Sequence, residues 1–488
     1  MEKVVVIGAG ISGLACAFRL KKLGIPCLLL EAKERAGGVI ATIRRSGCLF
    51  ETGPQFPRFP APLWRLVREL SLEKEFVAAN SKTERFIFRH GRLHQAPFSP
   101  MGLIKTKLVG LKSKLRILSE PFGYSQPPKD EESLADFVER KFDAEVLDNL
   151  VDPFISTIFL GDAHKMGMES AFPALVEWER HRGSLLRGAI SARKSSQIRS
   201  EPDGAFPQSG ADQDSRSGTN TNGTSLRVTD ALPALGSFKS GMATLPEKLS
   251  DELKDTISYR VQIDSIGPQG PDDRKSSSRW ELRLHQGERI SAEHLVLAVP
   301  AHVAASLLET DAPELARHLR AIEYAPICTV SSAYNRSDVT NSLDGFGFMV
   351  PRREGLHTIC TFWNSSLFCG RAPEGRVLIT SFAGRDGDGA LAAMTDEACA
   401  QTVETENARV LGITGHPVDR VFWKDTRALP QYNVGHAKRV AVISDTLAAL
   451  PNLHLAGNFL KGRSIGDCVD VAYRVAENLH SQLQRQNI

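Results

Sequence analysis

Val4-Val5-Val6-Ile7-Gly8-Ala9-Gly10-Ile11-Ser12-Gly13 decides how this 488-residue chain folds. The first four residues form a β-branched run, typical of a strand buried on both faces. Gly8-x-Gly10-x-x-Gly13 follows with nothing between strand and turn, and Leu14, Ala17, Phe18 and Leu20 then keep a helical spacing. Residues 26–30 read as a second strand, ending in Glu31. In this context the glycines allow a tight turn and close approach of backbone to a pyrophosphate held on the helix N-terminus. Residues 8–13, with Ala9, Ile11 and Ser12 among them, are therefore expected to line a cofactor. Glu31 stands where an acid accepts hydrogen bonds from ribose hydroxyls. A lone glycine triplet says little; one flanked by two strands, a helix and a terminal acid predicts an adenine dinucleotide.

The next residues choose between dinucleotides. Arg35-Ala36-Gly37-Gly38-Val39 follows Glu31 closely, and Glu51-Thr52-Gly53-Pro54 comes after. Adjacent glycines let the chain run along a ligand that extends beyond the ribose, which favours FAD over NAD. Arg35 is read equally as a contact to ribose or pyrophosphate and as a surface ion pair. The arrangement resembles the flavoenzymes of the amine oxidase and protoporphyrinogen oxidase superfamily, and that resemblance implies an FAD buried along this segment.

With 42% hydrophobic residues the chain can bury a large core, and its length predicts two or three domains. The balance of 60 basic against 57 acidic side chains leaves +3, too mild to argue for nucleic acid. The 8 cysteines show no CxxC pair and no His/Cys cluster, which reads as reduced thiols in a cytoplasmic protein without a structural metal. The first strand is read from Lys3, so no cleaved presequence is expected. Residues 294–308, the longest mainly apolar stretch elsewhere, are broken by Pro300 and too short to span a bilayer.

The expected class is α/β: a Rossmann-type FAD-binding domain in three segments, with an inserted mixed-sheet substrate domain and a helical subdomain. The FAD segments are read at 1–80, 230–308 and 421–488, the helical part at 81–190 and the substrate sheet at 309–420. Residues 102–118 read as one amphipathic helix, with Ile104, Leu108, Leu111, Leu115 and Leu118 in a stripe flanked by lysines. Such a helix suits the anionic inner face of a membrane, although an ordinary surface helix is the plainer reading. Residues 191–229 are rich in Ser, Gly, Asp, Asn and Thr and are expected to be a disordered loop without a catalytic role. A homodimer stays open.

The middle and end of the chain narrow the likeness. Asp152-Pro-Phe-Ile-Ser-Thr-Ile-Phe-Leu-Gly161-Asp162, Ala171-Phe-Pro173 and Gly183-Ser-Leu-Leu-Arg-Gly188 resemble the central helices of protoporphyrinogen oxidases. So do Phe238-Lys-Ser-Gly241, Gly345-Phe-Gly-Phe-Met-Val-Pro351, Arg371-Ala-Pro-Glu-Gly375, Leu429-Pro-Gln-Tyr432 and Ala456-Gly-Asn458 in their later segments. Matches this dispersed are similar to the oxygen-dependent, FAD-containing porphyrinogen oxidase branch. The resemblance implies removal of six electrons from a porphyrinogen in three rounds, with hydride passing to the flavin and molecular oxygen yielding peroxide. The protein then supplies binding, orientation and electrostatics, and no catalytic side chain is assigned.

On that resemblance Gly53-Pro54-Gln55-Phe56 lies beside the flavin ring, and the backbone at Ile263 pairs with adenine. Ser464-Ile465-Gly466 meets the flavin pyrimidine or ribityl chain from a helix N-terminus, with Trp423 nearby. Arg85 corresponds to an arginine for a porphyrin propionate, a role its guanidinium suits; a strand-surface arginine is the alternative. Phe346 and Trp363 correspond to positions that sandwich the macrocycle, or are plain core. His436 reads as a packed structural histidine.

Three positions depart from the pattern. Thr157 and Leu160 stand where relatives carry small residues beside the substrate, although the Thr157 carbonyl can still accept a pyrrole N–H. Arg463 replaces a small apolar residue, and a buried unpaired guanidinium is costly, so it must reach solvent, a phosphate or a substrate carboxylate. Protoporphyrinogen IX is the leading substrate and coproporphyrinogen III, with more propionates, the near rival. A flavin amine oxidase would need a closed aromatic cage, and a desaturase a long apolar tunnel. A non-catalytic flavin or porphyrin carrier would never be reduced by a porphyrinogen.

Overall fold

The fingerprint strand is the centre of the first sheet. In the computed structural model, residues 2–80, 83–123, 128, 130–198, 235–268, 280–385 and 389–486 are described. Glu2–Ile7 pairs in parallel with Leu28–Leu30 on one side and Arg289–Leu297 on the other. Its valines are buried because helices cover both faces, as a parallel strand requires. Ile11–Lys22 and Ile465–Gln486 share one face, while Ala301–Leu307 and Pro313–Arg320 cover the other. Leu453–Leu455 joins in parallel beside Arg289–Leu297, and Ile257–Ser258 beside Leu28–Leu30. Ile263–Pro268 and Trp280–Leu284 add an antiparallel arm. The sheet thus draws its strands from three distant stretches of chain.

A second seven-stranded sheet is mixed. It runs Asp419–Pro430, Tyr324–Asn335, Arg376–Ala383, Thr358–Phe362, Gly347–Met349, Arg85–Arg89 and Arg92–Gln95. The pairing of Gly347–Met349 with Arg85–Arg89 is parallel, and the rest is antiparallel. Asp419–Pro430 belongs here, so residues 421–430, expected in the last cofactor segment, are instead a strand of this second sheet.

The helical subdomain corrects two further expectations. Residues 102–118 are not one helix: Pro100–Lys105 and Leu111–Ser119 are separated where Leu108 turns inward and is buried. The Gly110 N–H at this break donates to the Glu145 carboxylate at 2.9 Å. Leu185–Ile198 is helical, so regular structure continues into the stretch expected to lack it from Ser191. The rest of that stretch, 199–229, lies outside the described residues.

Candidate active site

The glycines of the fingerprint do different things. A Cβ at Gly13 would sit 1.8 Å from the Gly8 carbonyl oxygen, and one at Gly8 2.7 Å from the carbonyl of Ala298. At Gly10 a Cβ would meet nothing within 4 Å, so bare backbone faces open space, the form needed to close on a pyrophosphate. The Ala9 N–H donates to Glu31 Oε2 at 2.7 Å and the Lys33 N–H to Oε1 at 2.9 Å. Each carboxylate oxygen is thereby fixed by one amide and keeps a lone pair for a ribose hydroxyl.

Arg35 forms no ion pair with a carboxylate among the described residues. Its guanidinium donates to the carbonyls of Ala36, Gly38 and Ile40 at 3.1, 2.9 and 3.2 Å, bracing the Gly37-Gly38 loop, whose Gly37 N–H donates to the Ala9 carbonyl at 2.8 Å. Val39 is exposed on that loop. Ile263 lies further on, paired with Leu284; Val261, not singled out from sequence, donates its N–H to the Glu31 carbonyl at 3.0 Å.

The N-terminus of Ile465–Gln486 packs beside that of Ile11–Lys22. Its cap is reciprocal: Asp467 N–H donates to Ser464 Oγ at 3.1 Å, and Ser464 N–H to Asp467 Oδ2 at 2.9 Å. That Ser-x-x-Asp spacing was a readable signal for Asp467. Gly466 is packed on Pro60, where a Cβ would come within 2.4 Å.

The Gly53–Phe56 loop is held from two directions. A Cβ at Gly53 would sit 2.3 Å from the Val39 carbonyl. Buried Gln55, next to Pro54, donates through Nε2 to the carbonyls of Glu51 and Gly53, both at 3.1 Å, and accepts from Asn364 Nδ2 at 2.9 Å. Phe56 meets Phe346 and Phe362 edge-on at 5.0 and 4.8 Å. The Arg85 guanidinium sits 4.5 Å from the Phe346 ring centroid and forms no ion pair with a carboxylate among the described residues. Burial and then the neighbouring Arg58 push its pKa below the usual arginine value.

Trp363 is elsewhere. It is 1% exposed in a core with Phe88, Tyr334 and Phe348, leaning on Phe86 at 5.6 Å. Alternation at the end of Thr358–Phe362 turns Phe362 to the Phe56 side and Trp363 away, so Phe362 and not Trp363 accompanies Phe346. Trp423 pairs with Thr329 and packs against the cluster of Leu160, Ile327 and Ile359, apart from the glycine cradle.

The departing residues cluster at the end of Asp152–Phe159. Thr157 Oγ1 donates to the Pro153 carbonyl at 2.8 Å. Leu160 ends the helix at φ 53°, a left-handed conformation that glycine adopts without strain. No N–H of the described backbone donates to the Thr157 carbonyl there, which leaves an acceptor. The Arg463 guanidinium lies 3.4 Å from the Phe159 centroid and 5.9 Å from that of Tyr432, and Nη1 donates to the Ile158 carbonyl at 3.3 Å. Burial lowers its pKa to about 10, so it remains a cation at neutral pH. His436 stacks on Tyr432 at 4.2 Å, and burial lowers its pKa to about 4, a neutral packing residue at pH 7.

Sequence reasoning missed one buried ion pair. Arg371 Nη1 lies 3.3 Å from Glu51 Oε1, both side chains almost wholly buried. Thr42 Oγ1 at 2.7 Å and the Met242 N–H at 2.9 Å also donate to Glu51. Burial still raises the Glu51 pKa to about 6. This pair ties the end of the strand before the Gly53–Phe56 loop to the segment that leads into Arg376–Ala383 of the second sheet.

Residues 11–480 match the family described as flavin containing amine oxidoreductase. The chain belongs to that family. Its members carry a flavin, and the dinucleotide cradle built on Gly10 and Glu31 makes the cofactor of this flavin oxidoreductase FAD. It is 28% identical to the chloroplastic protoporphyrinogen oxidase of Nicotiana tabacum, over 99% of this chain and 86% of that one. Identity to the coproporphyrinogen III oxidase of Bacillus subtilis (strain 168) is 27%, over 96% of each. Its fold is that of a solved protein from Exiguobacterium sp. 255-15 (TM-score 0.79, 24% identity, 99% of each chain). The cyclohexylamine oxidase of Brevibacterium oxydans IH-35A shares the fold at a TM-score of 0.66, with 17% identity over 99% of each chain. Among the described residues of this flavin oxidoreductase, no group of His, Cys, Asp or Glu is disposed to hold a metal, and no helix is long and apolar enough to cross a membrane.

Proposed function

We propose that this flavin oxidoreductase oxidises protoporphyrinogen IX to protoporphyrin IX in haem biosynthesis, with molecular oxygen as acceptor and peroxide as by-product. Near-full-length similarity to enzymes named protoporphyrinogen oxidase and coproporphyrinogen III oxidase supports the substrate class. The observation that carries it is Arg85, a half-buried cation without a carboxylate partner among the described residues, set on Phe346 beside the flavin-loop Phe56. A guanidinium so placed takes a propionate in two parallel hydrogen bonds. Phe346, Phe56 and Phe362 offer an apolar wall to the macrocycle, and the Thr157 carbonyl an acceptor for a pyrrole N–H. Bound FAD supplies the hydride acceptor; orientation and exclusion of water fall to these side chains.

Arg463 favours a second reading, coproporphyrinogen III, since a second cation that forms no ion pair with a carboxylate among the described residues suits a substrate with more carboxylates. The same charge opposes an ammonium substrate, and so an amine oxidase. Exposed Met101, Ile104, Leu111, Leu115, Leu118 and Phe122, with lysines between them, support a peripheral contact with an anionic membrane as part of the proposal.

Anaerobic mixing of the FAD-loaded protein with each porphyrinogen tests the proposal. Fast bleaching of flavin absorbance by one of them, then porphyrin fluorescence and peroxide on admitting air, is expected. No bleaching above the control rate by either sinks it.

A further inference from the structure

We propose that His294 and His454 form an acid-triggered latch in the cofactor sheet: when both rings take up a proton, the edge strand Leu453–Leu455 leaves the sheet and FAD is released. The two imidazoles come from adjacent parallel strands and stack with centroids 6.0 Å apart and planes 26° from parallel. In register, His294 lies beside Val4 and His454 beside Val296. Both valines point into the core under Ile11–Lys22 and Ile465–Gln486, so both rings point there too.

That core accepts neutral rings only. His294 is 0% exposed, and neither of its nitrogens has a hydrogen-bond partner among the described residues; nor has Nε2 of His454. An imidazolium brings two N–H donors and a charge, and no described carboxylate or carbonyl is placed to take them from His294. Burial holds both rings below the ordinary histidine value, His454 at about 4 instead of 6.5. The charges bearing on His294 are Glu293, its neighbour in sequence, and Lys3 of Glu2–Ile7, which act in opposite directions; on His454 only His294 bears, and none comes from the two covering helices. A folded-state value below the unfolded one gives stability that is complete above pH 6.5 and lost as the pH falls toward 4. Like charges on stacked rings repel, so each proton is easier to accept once the rings separate.

Topology decides which strand gives way. Leu453–Leu455 is only 3 residues long and pairs with Arg289–Leu297 alone, whereas the strand of His294 is paired on both sides. Beyond it the Ala456 N–H donates to the Leu297 carbonyl at 2.9 Å, and the chain runs on to Ser464 and the helix N-terminus packed beside that of Ile11–Lys22. Loss of the strand therefore loosens one wall of the dinucleotide cradle. Glu51 acts in the opposite sense, its contribution being greatest in acid, and His436 stacks on Tyr432 instead. Both stay in place in the variants below.

The test acidifies the FAD-loaded full chain and follows flavin fluorescence, which rises on release. The wild type is expected to release FAD between pH 6.5 and 4, and His294→Leu with His454→Leu to hold it to about one pH unit lower. A core that is merely weakened releases more FAD at every pH and keeps the wild-type pH dependence, and that result overturns the proposal. Hydrogen exchange in the wild type decides the matter even if the double variant cannot hold flavin. Protection of the Ala456 amide should fall by about tenfold to about a hundredfold for each pH unit below 6.5, the limits for one and two protons. The Ala298 amide, which donates to the Ile7 carbonyl between the central strands, should keep its protection over the same range. Loss of protection at both amides together, or at neither, overturns the local release. Neither readout depends on porphyrinogen turnover, so the outcome is independent of the proposed reaction.

Discussion

Arg463 lies over the ring of Phe159, its guanidinium carbon 3.4 Å from the ring centroid, at the end of the helix that carries Thr157. Cation–π contact offsets part of the cost of burying the charge, about 0.5–2 kcal/mol, and a substrate carboxylate would offset more. Arg463→Met is expected to raise KM for coproporphyrinogen III about tenfold, or about 1.4 kcal/mol, and to change that for protoporphyrinogen IX much less. Steady-state kinetics with both substrates checks this; equal shifts would remove Arg463 from substrate selection.

Glu31 holds two backbone amides, and the ribose role proposed for it has a direct test. Glu31→Ala should lower FAD affinity about a hundredfold, since one charge-assisted hydrogen bond contributes roughly 1.5–3 kcal/mol. Fluorescence titration of the apoprotein with FAD gives the number. A loss under threefold would mean that the carboxylate shapes the turn without touching the cofactor.

Leu160 should show an inverted size series. Replacing a buried leucine with alanine costs about 2–5 kcal/mol, and glycine normally costs more still. Here the left-handed backbone at φ 53° favours glycine by about 1 kcal/mol over alanine. Leu160→Gly is therefore expected to unfold at higher urea than Leu160→Ala. The usual order, with alanine the more stable, would show that the strain is negligible.

Glu51 gives the fold a pH signature. Its carboxyl is raised from 4.5 to about 6, so between these values the folded state binds the proton that the unfolded state releases. Its contribution is complete below pH 4.5 and is lost as the pH rises through about 6, by about 2 kcal/mol. In Glu51→Gln that loss disappears. Urea unfolding of both proteins should show the wild-type margin over the variant shrinking as the pH rises from 4.5 through about 6; a constant margin refutes the shift.

What could be read from sequence was local. The strand, the glycines, the helix and Glu31 lie within one short stretch, and spacing alone orders them. The side-chain register at Phe362–Trp363 was not legible, because it depends on where a strand ends. Nor was the pairing of Arg371 with Glu51, which joins parts of the chain far apart in sequence. The single stripe read over 102–118 failed for a physical reason: Leu108 found a buried place near Ile87 and Phe346, and the helix broke to put it there. Arg463 was flagged by its type, yet only the fold shows that Phe159 receives it.

The sheet that cradles the cofactor also sets a schedule for synthesis. Leu453–Leu455 and the helix from Ile465 emerge from the ribosome about 450 residues after Glu2–Ile7. At about 5–20 residues per second, the nascent fingerprint waits tens of seconds for the elements that complete it. Its buried valines need cover throughout that time. Binding of FAD is then expected only after these elements are made, and a ribosome-stalled chain ending before Leu453 should hold no flavin.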